Sequence, residues 1–146
     1  MGQVSYEATR LLDVTQRALD AGIAAAVIGN HIGDIGAAVQ AVVEAAGLSV
    51  VRDLVGHGIG VEFHEEPQVP NYGKPKRREK LVPGLTIAIE PMVNIGGPAT
   101  KTLSDRWTIV TLDGSLSAHF EHTVAITENG TRVLTRLDDV APAAAA

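Results

Sequence analysis

Leu11, Leu12, Val14, Ala18 and Leu19 recur at helical spacing over residues 5 to about 21. Ser5 is placed to cap the first turn and Gly22 stands past the last, so the spacing predicts a helix. Ile35, Val39, Val42 and Val43 repeat the pattern over residues 34 to 46, closed by Gly47, and predict a second helix. Beyond it the period shortens. SVVRDLV, TIAIEPMV, WTIVTL, HTVAIT and TRVLTRL are short, β-branched and partly alternating, separated by Gly, Pro, Asn and Asp, and they read as strands of an antiparallel or mixed sheet. Helices followed by strands, without βαβ alternation, predict an α+β arrangement.

EEPQVPNYGKPKRREKLVPG, residues 65 to 84, reads as a long Pro- and charge-rich connection, a length more often functional than ordinary. The domain is expected over residues 1–135, with a frayed tail at 136–146 that ends in VAPAAAA. At 146 residues the chain is the size of one domain and long enough to bury a core. It has no cysteine, so disulfides, thiolate zinc sites and cysteine nucleophiles are excluded, and any metal must be held by His, Asp and Glu. A cytoplasmic setting is expected, since the polar, amphipathic start MGQVSYEATRLLDVTQ is unlike a signal or transit peptide. The longest apolar stretches, AGIAAAVIG and AAVQAVVEAAG, fall well short of the roughly 20 residues that span a bilayer, so no membrane role is expected.

The net charge of -5 argues against a nucleic-acid footprint over the whole surface. KPKRREK, residues 74 to 80, runs against that average and reads first as a solvated loop. The chemistry concentrates elsewhere. GHGIGVEFHEEP, residues 56 to 67, brings His57 and His64 close to Glu65 and Glu66, and buried imidazoles and carboxylates must each find partners. Glycines around His57 allow close approach of backbone or ligand. Glu90 ends TIAIEP, on the face opposite Ile87 and Ile89 by strand alternation. Glu121 precedes another strand, between Phe120 and His122. Taken singly, His57 reads as a structural histidine and Glu90 as a solvated carboxylate. Together, three N and O donors at the ends of three strands build a metal site if those ends converge.

GHGIGVEFHEEPQVPNYG, LVPGLTIAIEPMVNIGG and DRWTIVTLDGSLSAHFEHTVAIT, in this order, closely resemble the type I methionine aminopeptidases. The resemblance covers nearly the whole chain. It implies the pita-bread fold, two pseudo-twofold-related halves of helices and strands around a pair of divalent metal ions, and removal of the initiator methionine from nascent proteins. It implies His57 as a metal ligand, Glu90 as a ligand that also transfers a proton, and Glu121 as a ligand bridging both ions. His64 is implied to touch the substrate and share in catalysis, while Phe63 and Trp107 line the methionine pocket. Cobalt, manganese, iron and zinc all suit such donors.

Two further ligand aspartates and a second substrate histidine of the family belong to the half that would precede this sequence. Asp13, Asp20 and Asp34 are no substitutes, so the chain resembles a C-terminal half that would hold at most one ion well. The expected partners are N-terminal methionyl peptides, a separate N-terminal half or a second copy, and the ribosome, toward which KPKRREK, read first as a solvated loop, is the basic candidate for docking. The alternative is a non-catalytic module that binds peptides or a partner through the same fold. His119 stands where glutamine is common, which points to an altered contact beside the ligands, and Arg106 where glycine is common.

Overall fold

The computed structural model describes residues 2–136. Of the tail expected at 136–146, all but Arg136 lies outside the described residues. Helix α1 spans Tyr6–Ala25, and Ser5 caps it by accepting a hydrogen bond from the Ala8 amide at 3.1 Å. The sequence places Gly22 beyond the end of this helix, yet α1 runs on through it. A Cβ at Gly22 would stand 2.9 Å from Val39 and 3.2 Å from Ile89, so this glycine serves a helix–helix crossing instead of a stop. Helix α2 spans Ile32–Ala45, starting before the expected residue 34. The Asp34 carboxylate reaches back to the His31 amide at 2.8 Å and satisfies the first turn from inside it. Among the described residues no helix is long and apolar enough to cross a membrane.

Ten short strands follow: β1 Ser49–Val50, β2 Gly56–Gly58, β3 Glu65–Val69, β4 Thr86–Ile89, β5 Met92–Asn94, β6 Thr100–Thr102, β7 Ile109–Thr111, β8 Ser117–His119, β9 His122–Thr127 and β10 Gly130–Val133. They form a five-stranded sheet in the order β10-β9-β4-β2-β3, a three-stranded sheet β1-β5-β8 and the hairpin β6-β7. Every pairing among these strands is antiparallel, which fulfils the α+β expectation. Ile87 and Ile89 of β4 pack with Leu19, Ile32, Ile35 and Val124 beneath the larger sheet. Each is fully buried and contributes about 2 kcal/mol by leaving water. Leu11, Val14, Val39 and Val43 cover the smaller sheet through Val50 and Val93.

Three strand expectations change. TIAIEPMV is two strands in two sheets, because Pro91 has no N–H to continue a ladder. The long connection begins with β3, whose Val69 pairs with Gly56, and β6 and β8, three residues each, are too short to show a strand pattern in sequence. The rest of that connection lies pinned along α2. The Ile32 amide donates to the Glu79 carbonyl at 2.9 Å, the Gly33 amide to the Arg77 carbonyl at 3.0 Å, and the Lys76 amide to Asp34 at 3.2 Å. Gly36 admits the carbonyls of Pro70 and Tyr72, which a Cβ would meet at 2.5 Å.

Candidate metal centre

The site stands at a corner in one antiparallel ribbon. β4 and β9 pair from Thr86 with Ala125 to Ile89 with His122, and β5 and β8 pair from Met92 with His119 to Asn94 with Ser117. The register is the same on both sides of the break. Carried through the corner, it sets Glu90 directly opposite Glu121, where the ribbon passes from the larger sheet to the smaller. Like charges facing across a ladder repel, so the arrangement calls for a cation.

His57 completes the group from β2, next to β4 in the larger sheet. Its flanking glycines face the neighbouring strands: a Cβ on Gly56 would overlap the Ala88 carbonyl, and one on Gly58 the Glu66 carbonyl. Backbone, then, fills the room that these glycines leave. The side chain of His57, on the other face, stays half-buried. Its Nδ1 lies 2.9 Å from the Gly58 carbonyl, which can only accept, so Nδ1 carries the proton and the Nε2 lone pair is free. That lone pair faces Glu90 Oε1 at 3.6 Å, with both side chains only 13–14% exposed. One ligand atom from each of His57, Glu90 and Glu121 lies within 4.8 Å of the others. Two carboxylates and an imidazole lone pair turned toward one another fit a divalent metal ion. It is the one such cluster among the described residues.

The other candidates divide. His64 packs against His57 with ring centroids 4.1 Å apart and planes tilted by 55°, and Phe63 meets His64 edge-on at 4.5 Å and His57 at 5.6 Å. These two join the group, although Phe63 is 68% exposed. Trp107 takes no part in these ring contacts. It lies in the loop between β6 and β7, 87% exposed, its amide donating to Asp105 at 3.0 Å. Arg106 before it has φ +61°, the left-handed region in which glycine is at ease. Asp13 pairs with Arg17 at 3.0 Å and Asp20 with Arg136 at 3.7 Å, while Asp34 caps α2, so none reaches the centre.

His119, seen in sequence only as a departure beside Glu121, places Nε2 3.5 Å from Glu90 Oε2. Hydrogen bonding to Glu90 holds its pKa above the ordinary imidazole value, helped by the charges of Glu90 and Glu121 and opposed by burial. It also borders a cavity of about 650 Å³ with Met92, Asn94, Lys101 and Leu116. Asn71 does not stand out in the sequence. It is fully buried, and its amide nitrogen donates to the Glu90 carbonyl at 3.0 Å across 19 residues. A loop asparagine so far from its partner carries no sequence signal.

The family model for metallopeptidase family M24 matches residues 1–128. The methionine aminopeptidase of Clostridium acetobutylicum is 54% identical over 135 residues, covering 92% of this chain and 54% of that protein. That of Escherichia coli K12 is 46% identical over 144 residues, 98% of this chain and 54% of that protein. The crystal structure of methionine aminopeptidase from Rickettsia prowazekii superposes with a TM-score of 0.90 at 42% identity, over 92% of this chain and 55% of that one. The chain thus spans about half the length of the curated relatives it matches. Its helices and antiparallel sheets are those of the C-terminal half of the pita-bread fold.

Proposed function

The chain belongs to metallopeptidase family M24, and from that premise we propose that residues 1–135 are the C-terminal catalytic half of a methionine aminopeptidase. Its substrates are the N-terminal methionyl peptides of nascent proteins, and its setting is the cytoplasm, where such chains emerge. The observation that carries this reading is the convergence of His57, Glu90 and Glu121 at the ribbon corner.

These three side chains would hold the ion, which when bound supplies Lewis acidity toward a peptide carbonyl and activates water at neutral pH. Glu90 also moves a proton: one of its carboxylate oxygens takes it from the attacking water and delivers it to the leaving amine nitrogen. His64, exposed and braced against the His57 ring, offers a ring N–H to the scissile amide as charge develops there. Phe63 and Trp107 supply apolar surface for the methionine side chain. Manganese, iron, cobalt and zinc all suit the donor set. These three donors by themselves hold one ion well at most, since Asp13, Asp20 and Asp34 are engaged elsewhere.

The curated relatives are about twice as long as the region they share with this sequence, so an N-terminal half, joined to it or supplied separately, is part of this reading. Hydrolysis of Met-Gly or Met-Ala peptides, measured with excess metal, is expected only after an N-terminal half is added. Robust turnover by the chain alone, abolished by Glu90→Ala, would mean that one ion suffices. A monomer that stays inert with the added half would favour the non-catalytic peptide-binding module.

We assign ribosome docking to KPKRREK. The run holds five of the 12 Lys and Arg residues but one of the 17 Asp and Glu, all exposed, on a backbone held against α2. Neutralising Lys76, Arg77 and Arg78 is expected to weaken co-sedimentation with ribosomes and flatten its salt dependence. Indifference to both would return the run to a solvated loop.

A further inference from the structure

We infer that Asn71 is a positioning residue: its side-chain amide fixes the main chain at Glu90, and with it the place of the Glu90 carboxylate between His57 and His119. The inference rests on the metal-site reading above. β4 ends at Ile89 and Pro91 cannot donate, so the Glu90 carbonyl stands where the ladder is interrupted. The Asn71 amide takes that carbonyl at 3.0 Å. Backbone torsions at Glu90 set the direction of its Cβ, so this bond decides where the carboxylate points.

Burial shows how specific the arrangement is. Asn71 has no solvent exposure, and its Oδ1 finds no hydrogen-bond partner. Burying an amide with one acceptor unmatched is unfavourable, a cost that an apolar side chain in the same space would avoid. The anchor behind it is rigid. Gly36 lets the carbonyls of Pro70 and Tyr72 rest on α2, and the Gly73 amide donates to Gln40 at 3.0 Å. The Tyr72 ring is covered by the Arg52 guanidinium at 5.0 Å. A continuous path therefore runs from α2 through residues 70–73 to the corner, and Asn71 is its last link. Partners that orient a metal ligand in this way typically change metal affinity 10- to 100-fold when removed.

The test is calorimetric titration of the 146-residue chain with Mn²⁺, alongside thermal unfolding without metal. Asn71→Ala and the isosteric Asn71→Asp, which lacks the donor, are expected to bind about 10- to 100-fold more weakly. Asn94→Ala is the control: it too removes a fully buried amide, one that donates to the Gly97 carbonyl at 2.9 Å, and it should lower stability with Mn²⁺ affinity unchanged. If the Asn71 variants do not fold, the wild-type chain still decides. Its Asn71 side-chain amide resonances are expected to shift on addition of diamagnetic Zn²⁺, and resonances that stay in place overturn the inference. Folded Asn71 variants that bind like wild type, while Glu90→Gln binds poorly, overturn it and leave the metal site standing. A wild-type chain that takes up no Mn²⁺, or a Glu90→Gln variant that binds normally, removes both.

Discussion

Glu121→Gln is expected to lower the affinity of the chain for Mn²⁺ or Co²⁺ by more than about 100-fold, beyond the range seen when only a ligand's supporting partner is lost. The substitution keeps the shape and replaces one of two anionic donors with a weaker, neutral amide oxygen. Its second effect runs the other way. Glu121 is exposed and stands opposite Glu90 in the register of the ribbon, so without metal the pair repels. Removing one charge relieves that repulsion, and the metal-free variant is expected to melt no lower than wild type. Loss of binding with undiminished stability is the signature of a ligand. Calorimetry and a metal-free thermal melt check both halves, and unchanged affinity would mean that Glu121 does not hold the ion.

Gly56→Ala is expected to cost at least about 3 kcal/mol or to abolish folding, the range reached when a core is overpacked without room to relax. The added Cβ would overlap the Ala88 carbonyl and lie 3.1 Å from the Val69 carbonyl. Both contacts are backbone, so no rotamer change can relieve them. β2 is flanked by β4 and β3, and forcing either away breaks the sheet that presents His57. Gly47→Ala is the useful contrast. Its φ is +69° with open space around it, so it should cost only about 1 kcal/mol of backbone strain. Urea denaturation of the two variants gives the comparison. Near-equal midpoints would show that the strands separate more easily than their packing indicates.

His57, Glu90 and Glu121 are legible in the sequence as donor residue types, though His57 sits in the middle of β2 and not at a strand end, and both helices are legible as periodic apolar faces. Those readings survive because helix hydrogen bonds join residues four apart, and because a donor atom is a property of the residue type. The same local logic fails at Gly22, where the reason for glycine lies on α2 and β4 instead of its own helix. It fails at β3, β6 and β8, whose strand character comes from a partner across the ladder. The order of residues thus carried the α+β class, the family and the chemical kinds of group at the site. Folding in three dimensions added that Glu90 faces Glu121 across a continuous register, that His119 reaches Glu90, that the Trp107 ring is exposed on the loop between β6 and β7, and that Asn71 donates to the Glu90 carbonyl. The physical reason is range: ladder pairing and burial join residues tens of positions apart, and a metal site depends on ångström distances that only such packing sets.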